Sequence, residues 1–423
     1  MKRYVINTTA LLHSWTYDRD WDPSTVLAPV TRALSSLSSL QTLILSIKGQ
    51  PHRVAHQPLP ALHSFKNLHR FAVACCDDLP RLYCEREITP VIEASPALTE
   101  FSVQNLRAPT FNRIVRECVS LQRFFNTAKP GLQTLELELV PLPSPGLRDT
   151  LPSTLRQLSV STPPGSRGVD FDWKALWSSL RETRTELSAL RVSGSERAMD
   201  DMFQYLLTYT GLHKLEIIGL QMDQQQEEDE LEETFWGKIV PHVRGTLATL
   251  AFTSIYEGNW CYGPSAAAAL SQCASIKDLT VSVSMVSTSW ADALLSQARN
   301  DRRVEFSRLA EPCGSPVNCG ALVLCSLEIP LEKLVLKPTR VAAARAADIH
   351  HLNSRTRPKD SPHLRRALQQ RQQTVNGIED VLLGMRAPTE CAMNWPLTVV
   401  VHSLPRLCRR QDANRVVYYE RGE

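Results

Sequence analysis

Residues 132–138 read Leu132-Gln133-Thr134-Leu135-Glu136-Leu137-Glu138. Leu135 and Leu137 are two apart, which is the side-chain spacing of one face of a β-strand, so Thr134, Glu136 and Glu138 point to the other face. Leu132 lies three residues ahead of that alternation and reads as a loop residue able to fold into the same core. The resulting phrase, apolar-x-x-apolar-x-apolar, decides the fold because it recurs. It stands at Leu40-Leu43-Leu45, Leu68-Phe71-Val73, Leu98-Phe101-Val103, Leu155-Leu158-Val160 and Leu187-Leu190-Val192. It continues at Leu212-Leu215-Ile217, Leu247-Leu250-Phe252 and Ile276-Leu279-Val281, with successive starts between 23 and 35 residues apart.

Between the phrases lie segments of helical period: Phe111, Ile114, Val115 and Cys118; Met202, Phe203, Leu206 and Leu207; Phe235, Ile239 and Val243; Ala266 to Leu270. A strand, a turn and a helix form a unit that cannot bury its own apolar face, so neighbouring units must stack. The sequence therefore predicts an α/β fold of parallel strands laid side by side, an irregular leucine-rich-repeat solenoid with strands on the concave face and helices outside. The rival is a compact α/β domain. That fold should show near-continuous apolar strands and a ligand-binding glycine loop, and here the strands alternate. Leu121-Gln-Arg-Phe124 also fits the beginning of the phrase only 11 residues before Leu132, so it heads either a short repeat without a helix or the preceding turn.

The wider composition is that of an ordinary folded chain. Of 423 residues, 43% are hydrophobic and 22% charged, which excludes wholesale disorder and fibrous repeats. Forty-seven Lys+Arg against 44 Asp+Glu leave +3, too little to make nucleic acid or an acidic membrane the default partner. No apolar run approaches the ~18 residues of a membrane span. Lys2 and Arg3 open the chain, but Asn7, Thr8, Thr9, His13 and Ser14 interrupt the apolar stretch, so no secretory signal is expected. Eleven scattered cysteines read as reduced thiols, which points to the cytoplasm or nucleus.

The phrase at irregular intervals with intervening helices, over residues 34–300, resembles the leucine-rich-repeat half of fungal F-box/leucine-rich-repeat proteins. The resemblance implies a repeat solenoid and a substrate receptor in ubiquitin ligation, with ubiquitin-ligase subunits among its partners. Two features depart from the family. The usual Asn or Cys after the third apolar position is missing, and no F-box stands in residues 1–33. Residues 1–33 are then a lead-in or N-terminal cap, and 301–423 a C-terminal cap region. That region holds one more phrase, Leu331-Leu334-Leu336, a basic connector at 340–362, a helix from His363 to about Thr374, and a late strand at 396–401. Two further segments stand out. Residues 141–169 are rich in Pro, Gly and Ser and flank one repeat with loops, and the acidic run Gln224 to Glu233 reads as a solvated helix start.

Local motifs for chemistry fail on spacing. Asp18, Asp20 and Asp22 open like a calcium loop, but Pro23 and Pro29 stand where Gly and Glu are required. Cys313, Cys319 and Cys325 with His350-His351 lack the close pairs zinc needs, and Cys75-Cys76 reads as two small buried hydrophobes. There is no Gly-x-Ser-x-Gly, no phosphate-cradling Gly-Lys-Ser/Thr, no Gly-x-Gly-x-x-Gly and no His-Glu-x-x-His. The reading is a chain with no catalytic, metal or cofactor residues.

A stacked array offers the strand residues that alternate with the buried ones. Those that could contact a partner are Glu100, Gln104, Glu136, Glu138, Arg191, Lys214, Glu216 and Asp278. Mixed charge on such a surface suits recognition of another protein. The expected function is a non-catalytic protein-interaction module, a substrate receptor or scaffold. The alternatives are an intracellular α/β enzyme assembled from distant loops and, more weakly, nucleic-acid binding through the basic arm 340–371, which lacks aromatics for base stacking.

Overall fold

A computed structural model describes residues 40–47, 65–75, 88–105, 131–138, 151–161, 173–193, 199–220, 225–255, 258, 260–283, 332–339, 398–402 and 418–422. The chain divides into two compact units, residues 1–209 and 210–423. The lead-in 1–33, the helix around Phe111, the phrase at Leu121, the zinc-like cysteines and the basic arm 340–371 all lie outside the described residues.

The first unit contains strands β1 (Thr42–Ile47), β2 (Arg70–Cys75), β3 (Glu100–Asn105), β4 (Thr134–Glu138), β5 (Gln157–Ser161) and β6 (Ala189–Ser193). Each pairs in parallel with the next in chain order. The register places the second residue of every phrase opposite its counterpart: Leu43, Phe71, Phe101, Leu135, Leu158 and Leu190 form one row. Val73, Val103, Leu137, Val160 and Val192 form the next. Both rows are buried, and so are the phrase heads from Leu40 to Leu187. Each such side chain contributes roughly 1.5–3 kcal/mol by leaving water, and a one-residue slip would turn a whole row outward. That is why the register is uniform.

The first Leu of each phrase belongs to the core for a backbone reason. The carbonyl of the residue after it accepts two N–H groups from the next phrase. The Gln41 oxygen takes His69 and Arg70, that of His69 takes Thr99 and Glu100, and that of Thr99 takes Gln133 and Thr134. Gln133 and Arg156 repeat the pattern toward Arg156/Gln157 and Ser188/Ala189. The forked bond fixes the turn into the strand, and the Leu one residue ahead is carried inward with it.

Helices α1 (Thr89–Glu93), α2 (Trp173–Glu182) and α3 (Met199–Leu206) connect or follow these strands. On α2, Trp173, Leu176, Trp177 and Leu180 have i, i+3, i+4, i+7 spacing and are buried. The helix closes in a Schellman turn. The Thr185 N–H reaches the Leu180 carbonyl, the Arg184 N–H reaches that of Arg181, and Arg184 takes the left-handed conformation at φ 52°. α3 packs on α2 through Trp177 and Tyr205, whose ring centroids are 5.9 Å apart, and the Tyr205 hydroxyl donates to the Thr185 carbonyl at 2.7 Å.

The second unit repeats the arrangement with β7 (Lys214–Leu220), β8 (Thr249–Ser254), β9 (Asp278–Val283), β10 (Lys333–Pro338), β11 (Thr398–His402) and β12 (Tyr418–Gly422). These too are parallel neighbours in chain order. Leu215, Leu250, Leu279 and Leu334 make one buried row, with Ile217, Phe252 and Val281 beside it. The phrase at Leu331 and the late strand at 396–401 thus continue the parallel order as β10 and β11, and β12 was not anticipated. The register shifts between Ile217 and Leu220, where Gly219 takes φ 68° and donates its N–H to Thr253 Oγ1 at 3.0 Å.

The acidic run forms helix α4 (Gln225–Thr234), continued by a π-helical turn, Phe235–Ile239, and α5 (Val240–Val243). The turn has an identifiable cause. Phe235, Ile239 and Val243 are buried at steps of four, as are Trp236 and Val240. A 3.6-residue helix drifts away from a step of four, and one turn holding more residues counters that drift. Pro241 carries no N–H for the Gly237 carbonyl, and the Val240 N–H bonds five residues back to Phe235. Phe235 then stacks on Phe252 of β8, so the helical layer covers the triplet face of the strands. Helix α6 (Pro264–Leu270) precedes β9, as its alanine-rich period predicts.

Candidate interaction face

The strand residues between the buried rows form the other face, and parallel pairing sorts them into rungs. In the first unit one rung runs Thr42, Arg70, Glu100, Thr134, Gln157, Ala189, and the next runs Ile44, Ala72, Ser102, Glu136, Ser159, Arg191. Glu100, Glu136 and Arg191 therefore fall where the alternation puts them, half-buried, half-buried and exposed. Gln104 and Glu138 occupy register positions on a third rung, opposite one another, and their side chains lie outside the described residues.

In the second unit the rungs are Lys214, Thr249, Asp278, Lys333 and Glu216, Ala251, Thr280, Val335. Lys214 and Asp278 sit on the first and Glu216 on the second. Of the eight candidates, Glu100, Gln104, Glu136, Glu138 and Arg191 belong to the first unit and Lys214, Glu216 and Asp278 to the second.

Local pairs tie several of these charges down. Arg70 Nε lies 3.3 Å from Glu100 Oε2, and Lys214 Nζ lies 3.2 Å from Glu216 Oε1. Asp278 Oδ2 accepts from Thr249 Oγ1 at 3.4 Å. Ion pairs of this exposure are worth about 0–1 kcal/mol, so their main effect is to fix where charge stands. Glu216 is more covered than its outward position implies, with a side chain only 16% exposed. Ala251 and Val335 on the same rung are buried. The alternation gives direction and not depth: a small residue such as Ala251 between larger neighbours is overhung by them.

Sequence reasoning missed Arg70 and Lys333, whose positions are fixed by the same parity. It also missed the hydroxyls that bridge successive strand-entry turns within each unit. Thr154 Oγ1 donates to the Leu132 carbonyl at 2.9 Å, Thr246 Oγ1 lies 2.6 Å from the Thr210 and 2.8 Å from the Leu212 carbonyl, and Ser275 Oγ donates to that of Gly245 at 3.1 Å. Thr154, Thr246 and Ser275 all directly precede a phrase, which was the available signal. At the strand ends Ser193 Oγ donates to Ser161 Oγ at 2.7 Å, and Ser282 Oγ joins the Ser254 backbone.

Three displaced ionisations belong to the interior. Burial pushes the Tyr209 hydroxyl up to about 12, and burial first, then the Tyr209 charge, raises that of Tyr205. Burial also pushes the Cys273 thiol up to about 11 against the opposing charge of Arg244. These groups stay protonated near neutrality, and a protonated Tyr205 is what its bond to the Thr185 carbonyl requires. Among the described residues no group of three or more His, Cys, Asp or Glu is placed to hold a metal ion. Among them, too, no helix is long and apolar enough to cross a membrane. Compared with known proteins, the sequence matches no family model and no curated protein.

Proposed function

We propose that this chain is a non-catalytic protein-interaction module of leucine-rich-repeat type, holding a partner protein against the outward strand face. The observation that carries the reading is the uniform register. Within each unit, parallel strands in chain order set one strand residue in two in rungs, so Glu136 and Arg191 in the first unit, and Lys214 and Asp278 in the second, are held on ordered backbone with mixed charge. Charge fixed in this way selects a partner by complementary potential. On the strength of the family resemblance, the partner set is a ubiquitin-ligase substrate together with cullin-ligase subunits, and the site of action is the cytoplasm or nucleus.

The test is affinity purification from the native host with a charge-reversed control, Glu136→Lys with Arg191→Glu. Cullin-ligase subunits and a shared partner should come down with the parent chain, and the partner should be lost with the control at an unchanged melting temperature. Equal recovery with both would reject the strand face as the contact surface.

A further inference from the structure

At the strand-entry rim of the first unit, three exposed arginines stand on segments that meet at the Glu186 carbonyl or end just before it. Arg156 sits at the turn into β5, and its Nη1 donates to the Glu186 carbonyl at 3.1 Å. Arg181 and Arg184 end α2 in the Schellman turn just before that carbonyl. All three side chains are exposed, and apart from the Arg156 bond to a backbone oxygen none of their guanidiniums has a partner among the described residues. Glu182 and Glu186 are exposed in the same stretch, yet neither forms an ion pair with them.

Arg184 carries a second indication. Its φ of 52° is the left-handed position that ends a helix and is ordinarily given to Gly. A side chain there is less favourable than Gly, and strain of this kind clusters at positions kept for something other than stability.

We propose that the Arg156, Arg181 and Arg184 rim is a docking point for an acidic segment of a partner protein, engaging its carboxylates. This rests on the reading of the chain as a protein-interaction module and adds a second contact beside the strand face. Guanidinium planes pair bidentately with carboxylates. A nucleic acid fits less well. Three arginines neutralise few phosphates, and the nearby aromatics, Trp173, Trp177 and Tyr205, are buried and offer no stacking surface.

The experiment uses the full chain and a fluorescein-labelled oligoglutamate followed by anisotropy at low salt, with a single-stranded oligonucleotide of equal charge alongside. Binding of oligoglutamate should weaken at least about tenfold in Arg156→Gln/Arg181→Gln/Arg184→Gly. It should weaken several-fold in Arg184→Gly alone, a change that does not lower the melting temperature, which keeps the test independent of misfolding. Unchanged oligoglutamate binding in both variants overturns the proposal. So does tighter oligonucleotide binding that the same variants abolish, since the rim would then be a nucleic-acid site. If the strand-face control loses its partner while the rim variant keeps both probe and partner, the rim fails and the interaction module stands. The reverse pattern removes the strand face and leaves the rim.

Discussion

Phe235, in the π-helical turn, stacks on Phe252 of β8 with ring centroids 4.5 Å apart and both rings buried. Helical layer and strand layer meet in this pair, with Trp236 edge-on to Phe252 at 5.3 Å and Trp260 against it at 4.7 Å. Phe252→Ala should therefore cost about 3–5 kcal/mol. Chemical denaturation with tryptophan fluorescence reads this directly, and a loss under about 1 kcal/mol would mean the ring is not seated as described.

Alternation along one strand gives the sharpest contrast. Leu215→Asp places an unpaired charge in the buried row of β7 and should prevent folding of the second unit, whereas Glu216→Gln, one residue on, should cost no more than about 1 kcal/mol. Equal responses of the two variants in thermal unfolding would invalidate the assignment of inward and outward residues.

The bridging hydroxyls are expected to matter more than their exposure indicates. Thr246→Val keeps the shape but takes a donor from the Thr210 and Leu212 carbonyls and should cost about 1–2 kcal/mol, measured by denaturant titration. A neutral substitution would show that water replaces the hydroxyl without loss.

Stability should fall in alkali. The folded Cys273 thiol is pushed up to about 11 by burial, above its ordinary value of 9.0, and Tyr209 up to about 12, above 10.0. Between those limits the unfolded chain releases protons that the folded chain retains. Unfolding free energy therefore declines as pH rises past about 9, by up to about 1.4 kcal/mol per pH unit for each such group. Cys273→Ala should flatten the first part of that decline. A slope identical to the parent's would place the thiol in contact with solvent.

What was legible in the sequence was what side-chain period encodes. The spacing of Leu135 and Leu137, repeated from Leu40 to Ile276, yielded the strands and their inward face, and Met202 to Leu207 and Ala266 to Leu270 yielded helices. Helix α2 carries the same signal at Trp173, Leu176, Trp177 and Leu180. Period says nothing about depth, which is why Glu216 and Ala251 proved more covered than parity implies. Nor does it encode backbone register against a neighbour, so the forked carbonyl bonds and the bond from Arg156 to the Glu186 carbonyl became visible only in three dimensions.

Register is the claim on which every later step rests, and disulfide trapping measures it most directly. Ser159 and Arg191 are opposite partners on the outward face of β5 and β6, whereas Ser161 is paired with Ser193. Adjacent strands lie about 4.8 Å apart, within disulfide reach, while a two-residue diagonal exceeds the ~7 Å limit. Under mild oxidation with peptide mapping, Ser159→Cys/Arg191→Cys should cross-link efficiently and Ser161→Cys/Arg191→Cys should not. Efficient linkage of the second pair in place of the first would contradict the account.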